Sequence, residues 1–432
     1  MDVAIIAMIF LTLYLSIGGP LPYCFGLALM VMHFGAGVSM NGMLMYGLQQ
    51  IQSPVLLSIP LFVFAGNLMG HSGIAKSLLD FVNIFVGRIK GGLGVVSVVT
   101  CAIIGAISGS SLTGVAAIAP IMVPRMAQEG YPRGFATALV TFSSVLGLLI
   151  PPSISMITYG WVTETSILAC FLATLVPGLM VAFLFSVINL YLARNFNMEL
   201  GEKLTTGEKL TRARRSFFSA LPALMMPVII LGGIYGGVMT ATEAAATAVV
   251  YSIPIGFFVY KGLTKKNFLV SGCESTTTVG SIMLMIMLCL SLGQTFVMLE
   301  IPETISNSIL SISNNKILIL IFINFIFIIM GMLVSDMVSL LLVVPLIFPL
   351  IHTIGVHPVH FGAIVGVNLA MGVVTPPYAS VLYLGIRLGK TTFEDTIKPL
   401  MILLMFGYLP VLILTTYVPA LSLYLPGLLK LL

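Results

Sequence analysis

Charge is what this chain has least of. Its 432 residues include 19 basic and 14 acidic side chains, 8% of the total, where a soluble globular domain carries roughly a quarter. So few charges cannot cover the surface of a soluble protein this large. That excludes a soluble enzyme, a nucleic-acid binder and a disordered chain. The net charge of +5 is too thinly spread to suit nucleic acid. Cysteine is scarce as well. Cys24, Cys101, Cys170, Cys273 and Cys289 are odd in number and lack CxxC spacing, and all but Cys273 lie in apolar stretches. They read as small core residues rather than metal ligands or disulfides. The start, Met1-Asp2 and then an apolar run, lacks the basic segment and cleavage site of a signal peptide and reads as a mature helix. What the chain has instead is apolar residues, 59% of it. This is the composition of an all-α polytopic membrane protein embedded in a lipid bilayer, whose spans each need about 20 apolar residues.

Apolar runs near 2–17, 21–38, 53–70, 134–160, 165–193, 218–236, 241–260, 277–298, 360–386 and 397–425 give ten expected crossings. Two further apolar blocks, 91–128 and 316–351, are interrupted midway and read as re-entrant helical hairpins. With this arrangement the segments 71–92, 125–133, 194–217, 261–276 and 387–398 share one side. They hold every Lys and Arg except Lys316 and Lys430. The positive-inside rule makes that side cytoplasmic and both termini periplasmic. The polar stretch 194–217 reads as an orienting cytoplasmic loop. The stretch 74–90 reads as an amphipathic helix at the inner interface.

A shift of 225 residues aligns the chain with itself. Ser110 meets Ser335, Pro120 meets Pro345, Pro124 meets Pro349, Gly147 meets Gly372, Pro151-Pro152 meets Pro376-Pro377, Ser155 meets Ser380 and Gly160 meets Gly385. An odd number of crossings separates the copies, so they are expected in opposite orientation. Inverted repeats of this kind point to a secondary transporter with its site near the midplane. Each copy offers two breaks in helical hydrogen bonding: a hairpin tip, Gly105 to Ser111 or Gly331 to Asp336, and a Pro-Pro run, Gly147 to Pro152 or Gly372 to Pro377. Two prolines remove two backbone donors. At membrane depth the freed carbonyls need protein, water or an ion, and Na⁺ suits carbonyl and hydroxyl oxygens. Ser108, Ser110 and Ser111 in the first copy, and Ser335 and Thr375 in the second, offer hydroxyls. Asp336 is an acid at a tip, and intramembrane acids are usually functional. Thr240 and Glu243 have the spacing of a capping box. His352, His357 and His360 cluster in sequence, but Pro358 interrupts a common helical face, so a metal site is not expected.

These segments resemble the large membrane subunit, DctM-like and including SiaM-type, of tripartite ATP-independent periplasmic (TRAP) transporters. The likeness is carried by Ser58-Ile-Pro-Leu-Phe-Val-Phe-Ala-Gly66, Gly87-Arg-Ile-Lys-Gly-Gly-Leu-Gly94, Ile107-Ser-Gly-Ser-Ser111, Pro120-Ile-Met-Val-Pro-Arg-Met126, Gly147-Leu-Leu-Ile-Pro-Pro-Ser153, Thr242-Glu-Ala-Ala-Ala246, His360-Phe-Gly362 and Val374-Thr-Pro-Pro377. It runs over roughly 50–405. One departure is Leu112-Thr113-Gly114 after the first tip, where many members of that family have an acidic or alanine-rich stretch.

The resemblance implies an elevator-type, Na⁺-coupled permease of the bacterial inner membrane with no enzymatic activity. Segments 1–90, 161–315 and 391–432 would form the scaffold, and 91–160 and 316–390 the two halves of a transport domain. One Na⁺ would be held by Ser108 or Ser111 with carbonyls of Gly147, Ile150 and Pro152. Another would be held by Gly331 and Val334 with Gly372, Thr375 and Pro377, giving two or more ions per cycle. Ser110, Ser153, Ser335, Asp336 and Tyr378 would contact the substrate, a C4-dicarboxylate or sialic-acid type organic acid. The implied partners are a periplasmic substrate-binding protein (DctP-like) and a small four-helix membrane subunit (DctQ-like), which is expected to be separate or split off. The nearest alternative is a stand-alone Na⁺/dicarboxylate carrier with related hairpin repeats.

Overall fold

The structure, a computed structural model, describes residues 2–86, 89–197 and 206–432. Among them all regular structure is helical, as hydrocarbon demands, since a helix satisfies its backbone polar groups within its own segment. Arg88, Lys203 and part of the expected loop 194–217 lie outside the described residues. The helix Thr206–Tyr235 takes in the later part of that loop, so the polar connection is shorter than the sequence reading made it.

The internal repeat reappears element by element. The first hairpin is Gly92–Ser108 and Ser111–Gln128; the same shift carries it onto Lys316–Leu333 and Asp336–Thr353. Each tip is two residues, Gly109-Ser110 and Val334-Ser335. Arg133–Ser144 and Ile154–Val162 form a helix broken around Pro151-Pro152, matched by Pro358–Gly372 and Ser380–Gly389 around Pro376-Pro377. Both Pro-Pro bonds are cis. The expected amphipathic helix is Ile74–Val86, with Ile74, Ala75, Leu78, Leu79 and Val82 buried on one face. Its repeat counterpart, Ile301–Ile312, was not assigned from sequence. The same is true of Met40–Ile51. There the copies diverge. Met40–Ile51 and Ser58–His71 are two helices, whereas the second copy runs unbroken from Lys265 to Met298. Pro54 sits in the gap, and Val279 occupies the equivalent position; Pro removes a helical donor and clashes with the preceding turn.

Eight helices among the described residues are long and apolar enough to cross a membrane. Of the ten expected crossings, 2–17, 21–38 and 53–70 form helices of 15, 16 and 14 residues, and 360–386 is divided at its prolines. The two limbs of the second hairpin are 18 residues each and count among the eight.

Packing separates an outer layer from an inner body. Lys265–Met298 lies against Leu21–Ala36, Met40–Ile51 and Ser58–His71, and Ala241–Pro254 lies on Ser58–His71. The inner body joins the hairpins and broken helices. Ile167–Ala193 and the chain from Phe393 to Leu428 pack against Gly92–Ser108, Arg133–Ser144 and Pro358–Gly372. The most apolar window of the first broken helix is 100% buried, against 28% for that of Ala241–Val259. The peripheral segment Ala241–Val259 presents Val250 and Phe258 outward, which suits contact with lipid. Each amphipathic helix meets a hairpin limb: Ile74–Val86 packs on Gly92–Ser108, and Ile301–Ile312 on Asp336–Thr353.

Candidate functional site: two hairpin tips and a shared cavity

Each tip rests on the Pro-Pro break of its own copy through a glycine pair. A Cβ on Gly105 would collide with the Gly147 backbone, and a Cβ on Gly331 would stand 3.0 Å from the Gly372 Cα. Only glycine allows such an approach, which brings tip and break backbones together. In the first copy Gly109 takes φ +62° to close the hairpin, its N–H donating to the Gly105 carbonyl at 2.7 Å. A Cβ there would lie 2.9 Å from the Pro152 carbonyl oxygen, and one on Gly147 would lie 3.0 Å from that of Ser110. The first copy therefore sets the Pro152 carbonyl against Gly109 and the Ser110 carbonyl against Gly147, with the Ser108 hydroxyl 3.4 Å from the Ser110 carbonyl. The Ser108 hydroxyl donates to the Ile104 carbonyl at 3.0 Å, and Ser111 is buried at the start of its limb. The N–H of Ile150 donates to the Leu146 carbonyl at 2.7 Å.

The second copy brings Gly331 and Gly372 together, but several of its oxygens have protein partners. The Thr375 N–H donates to the Gly372 carbonyl at 3.0 Å, and its hydroxyl to the Met371 carbonyl at 2.7 Å. The Pro377 carbonyl accepts from the Tyr383 hydroxyl at 2.7 Å. Val334 is buried, and its N–H donates to the Met330 carbonyl. These oxygens keep a second lone pair, so the bonds do not close them to a cation.

Both tips line one cavity of about 1100 Å³. Ser110, Ser111, Ser335 and Asp336 all reach it. Ser335 also caps its limb, accepting from the Val338 N–H at 3.4 Å. Two of the expected substrate contacts do not line it: Ser153 is buried with an unpartnered hydroxyl, and Tyr378 is 56% exposed elsewhere. The structure adds residues the sequence reading left out. The Ser155 hydroxyl donates to Asp336 Oδ2 at 2.6 Å, joining the first break to the second tip. Ser380, the repeat partner of Ser155, lines the cavity; their alignment was the signal that pointed to both. The cavity is also lined by Asn67 and His71 of Ser58–His71 and by Glu274, Thr278 and Ser281 of Lys265–Met298. His71 Nε2 stands 3.0 Å from Glu274 Oε2, and Asn67 donates to Ser275 at 2.8 Å.

The other flagged polar residues have local partners. Thr240 and Glu243 form the capping box, with the Thr240 N–H on the Glu243 carboxylate at 2.7 Å and the Glu243 N–H on the Thr240 hydroxyl at 3.3 Å. The three histidines do not converge. His360 meets Ser422 at 2.6 Å, His357 caps its own helix at Val359, and His352 stands edge-on to Phe348. Cys24, Cys101, Cys170 and Cys289 are buried thiols, and Cys273 is exposed.

Comparison with known proteins agrees with this architecture. Residues 5–421 match the family model described as the tripartite ATP-independent periplasmic transporter, DctM component. The chain is 33% identical over 423 residues to the isethionate TRAP transporter permease protein DctMQ of Oleidesulfovibrio alaskensis, covering 97% of itself and 65% of that longer protein. It is 36% identical to the C4-dicarboxylate TRAP transporter large permease protein DctM of Pseudomonas aeruginosa, over 86% of each chain. It is 32% identical to the sialic acid TRAP transporter large permease protein SiaM of Vibrio cholerae, over 93% of this chain and 92% of that one. In fold it resembles the YdaH transporter of Alcanivorax borkumensis, with a TM-score of 0.53 at 15% identity over 88% of this chain and 89% of that one.

Proposed function

The chain belongs to the DctM component family of tripartite ATP-independent periplasmic transporters, and on that premise we propose that it is the permease subunit through which an organic acid is imported with Na⁺. The observation that carries this reading is the pairing of each hairpin tip with a Pro-Pro break, Gly105 on Gly147 and Gly331 on Gly372, beside one shared cavity. Each pairing concentrates carbonyl oxygens that lack a full set of helical donors. Na⁺ bound there, with Ser108 or Ser111 in one copy and Thr375 in the other, supplies the positive charge that draws a carboxylate to the tips. The cavity carries the substrate.

The cavity lining includes Pro20, Tyr23, His71 and Glu274. In the cation-based topology these lie toward the cytoplasm, so the cavity opens inward and this is the release state. The repeats, inverted across the membrane, exchange roles when the inner body slides along the outer layer. Substrate then arrives from a periplasmic binding protein, and a small membrane subunit braces the outer layer in the bacterial inner membrane. The test is uptake into proteoliposomes holding the permease with its small membrane subunit. Accumulation needs both an inward Na⁺ gradient and the cognate binding protein. Uptake at full rate without Na⁺ contradicts the ion sites, and uptake with Na⁺ but no binding protein favours a stand-alone carrier.

A further inference from the structure

The two tips look alike in backbone but not in charge. Under the repeat alignment Asp336 corresponds to Ser111, and Ser155 to Ser380. Both Ser111–Gln128 and Asp336–Thr353 are 18-residue helices whose N-termini start at the cavity. A helix N-terminus carries about half a positive charge and attracts anions. In the second copy that attraction, together with the Na⁺ proposed beside it, is offset by Asp336, whose carboxylate is fixed by the Ser155 hydroxyl at 2.6 Å. In the first copy Ser111 brings no charge, so this N-terminus remains open to an anionic ligand. The cavity thus has one end suited to a carboxylate or sulfonate, and not two.

The cavity wall formed by Ser58–His71 and Lys265–Met298 is acidic as well. Glu274 is half exposed there and pairs with His71 at 3.0 Å. A protonated His71 at most cancels Glu274. Among the described residues that line the cavity there is no Lys or Arg to clamp a second anionic group. The remaining polar groups on that wall, Asn67, Thr278 and Ser281, with the Glu274 carboxylate, suit a group that donates hydrogen bonds.

Resting on the reading of this cavity as the substrate site, we propose that it selects an organic monoanion bearing hydroxyl or ammonium donors at its other end, and disfavours dicarboxylates. Asp336 and Glu274 are the specificity-determining residues. A dicarboxylate has to place its second charge beside one of them, and like charges brought together out of water repel strongly.

Thermal-shift titrations of the purified full chain test this, with isethionate and N-acetylneuraminate as monoanion probes and succinate as the dianion, in NaCl and in KCl. At least one monoanion stabilises the protein in NaCl, at a half-saturating concentration about tenfold or more below that of succinate. Asp336→Asn and Glu274→Gln each shift that ratio toward succinate by about fivefold. Glu274 is half exposed, so its variant carries the test if Asp336→Asn fails to fold. Succinate binding as well as the monoanions in NaCl, or ratios unchanged in the variants, overturns the selection while leaving an organic-acid site in place. If no acid of either kind stabilises the protein in NaCl, the organic-acid reading falls and the selection with it.

Discussion

Ser108 ends a limb of the first hairpin and Thr375 directly precedes the second Pro-Pro pair, yet their hydroxyls hold comparable bonds. Each hydroxyl donates to a carbonyl one turn back, Ile104 at 3.0 Å and Met371 at 2.7 Å. A hydroxyl that donates to its own helix leaves its oxygen lone pairs free to face a cation. Removing one neutral oxygen from an ion shell costs about 1 kcal/mol. Ser108→Ala and Thr375→Ala are therefore expected to raise the Na⁺ concentration for half-maximal uptake by about fivefold, with little loss of folded protein. Uptake against Na⁺ concentration measures this, and unchanged curves make the hydroxyls structural. The residues legible in sequence were those whose chemistry is local: the tip serines, the paired prolines, and the capping box of Thr240 and Glu243. His71 and Glu274 were not legible. They meet across 203 residues, and no periodicity reports a partner so far away.

Helices and hairpins were readable to the extent that proline, glycine and length mark them. Both tips fall where the apolar blocks are interrupted, and the breaks fall at the paired prolines. Met40–Ile51 and Ile301–Ile312 escaped because they are short and amphipathic, with polar faces that read as loop. The repeat held the clue to the second, since the shift carries Ile74–Val86 onto it. At this scale the elevator reading makes a demand. Asp80 on Ile74–Val86 lies 3.9 Å from Arg125 on the first hairpin, so the two elements must part if the inner body moves. In a Cys273→Ser background, Asp80→Cys with Arg125→Cys joined by a flexible bismaleimide is expected to abolish uptake. Either single cysteine treated alike retains it. Full uptake in the cross-linked protein would mean that the two elements travel together.

For the whole molecule the scarce cations remain the guide to orientation. Cys273 is the exposed thiol among the described cysteines, and it lies in the cation-rich segment 261–276. A membrane-impermeant maleimide is expected to label it in inside-out vesicles and not in intact cells; labelling in intact cells reverses the assigned orientation. Which helices Ile167–Ala193 packs against was not legible in sequence. Ile167–Ala193 is apolar all round, and such a helix gives no sign of which neighbours it will meet. Contacts place it beside both broken helices. The central claim is that two equivalent tip-and-break pairs each carry a Na⁺ with every substrate molecule. Counting labelled Na⁺ and labelled substrate taken up together by proteoliposomes tests it most directly. The account predicts at least two Na⁺ per substrate, falling when Ser108 or Thr375 is replaced by Ala. Substrate accumulation with no accompanying Na⁺ would contradict it.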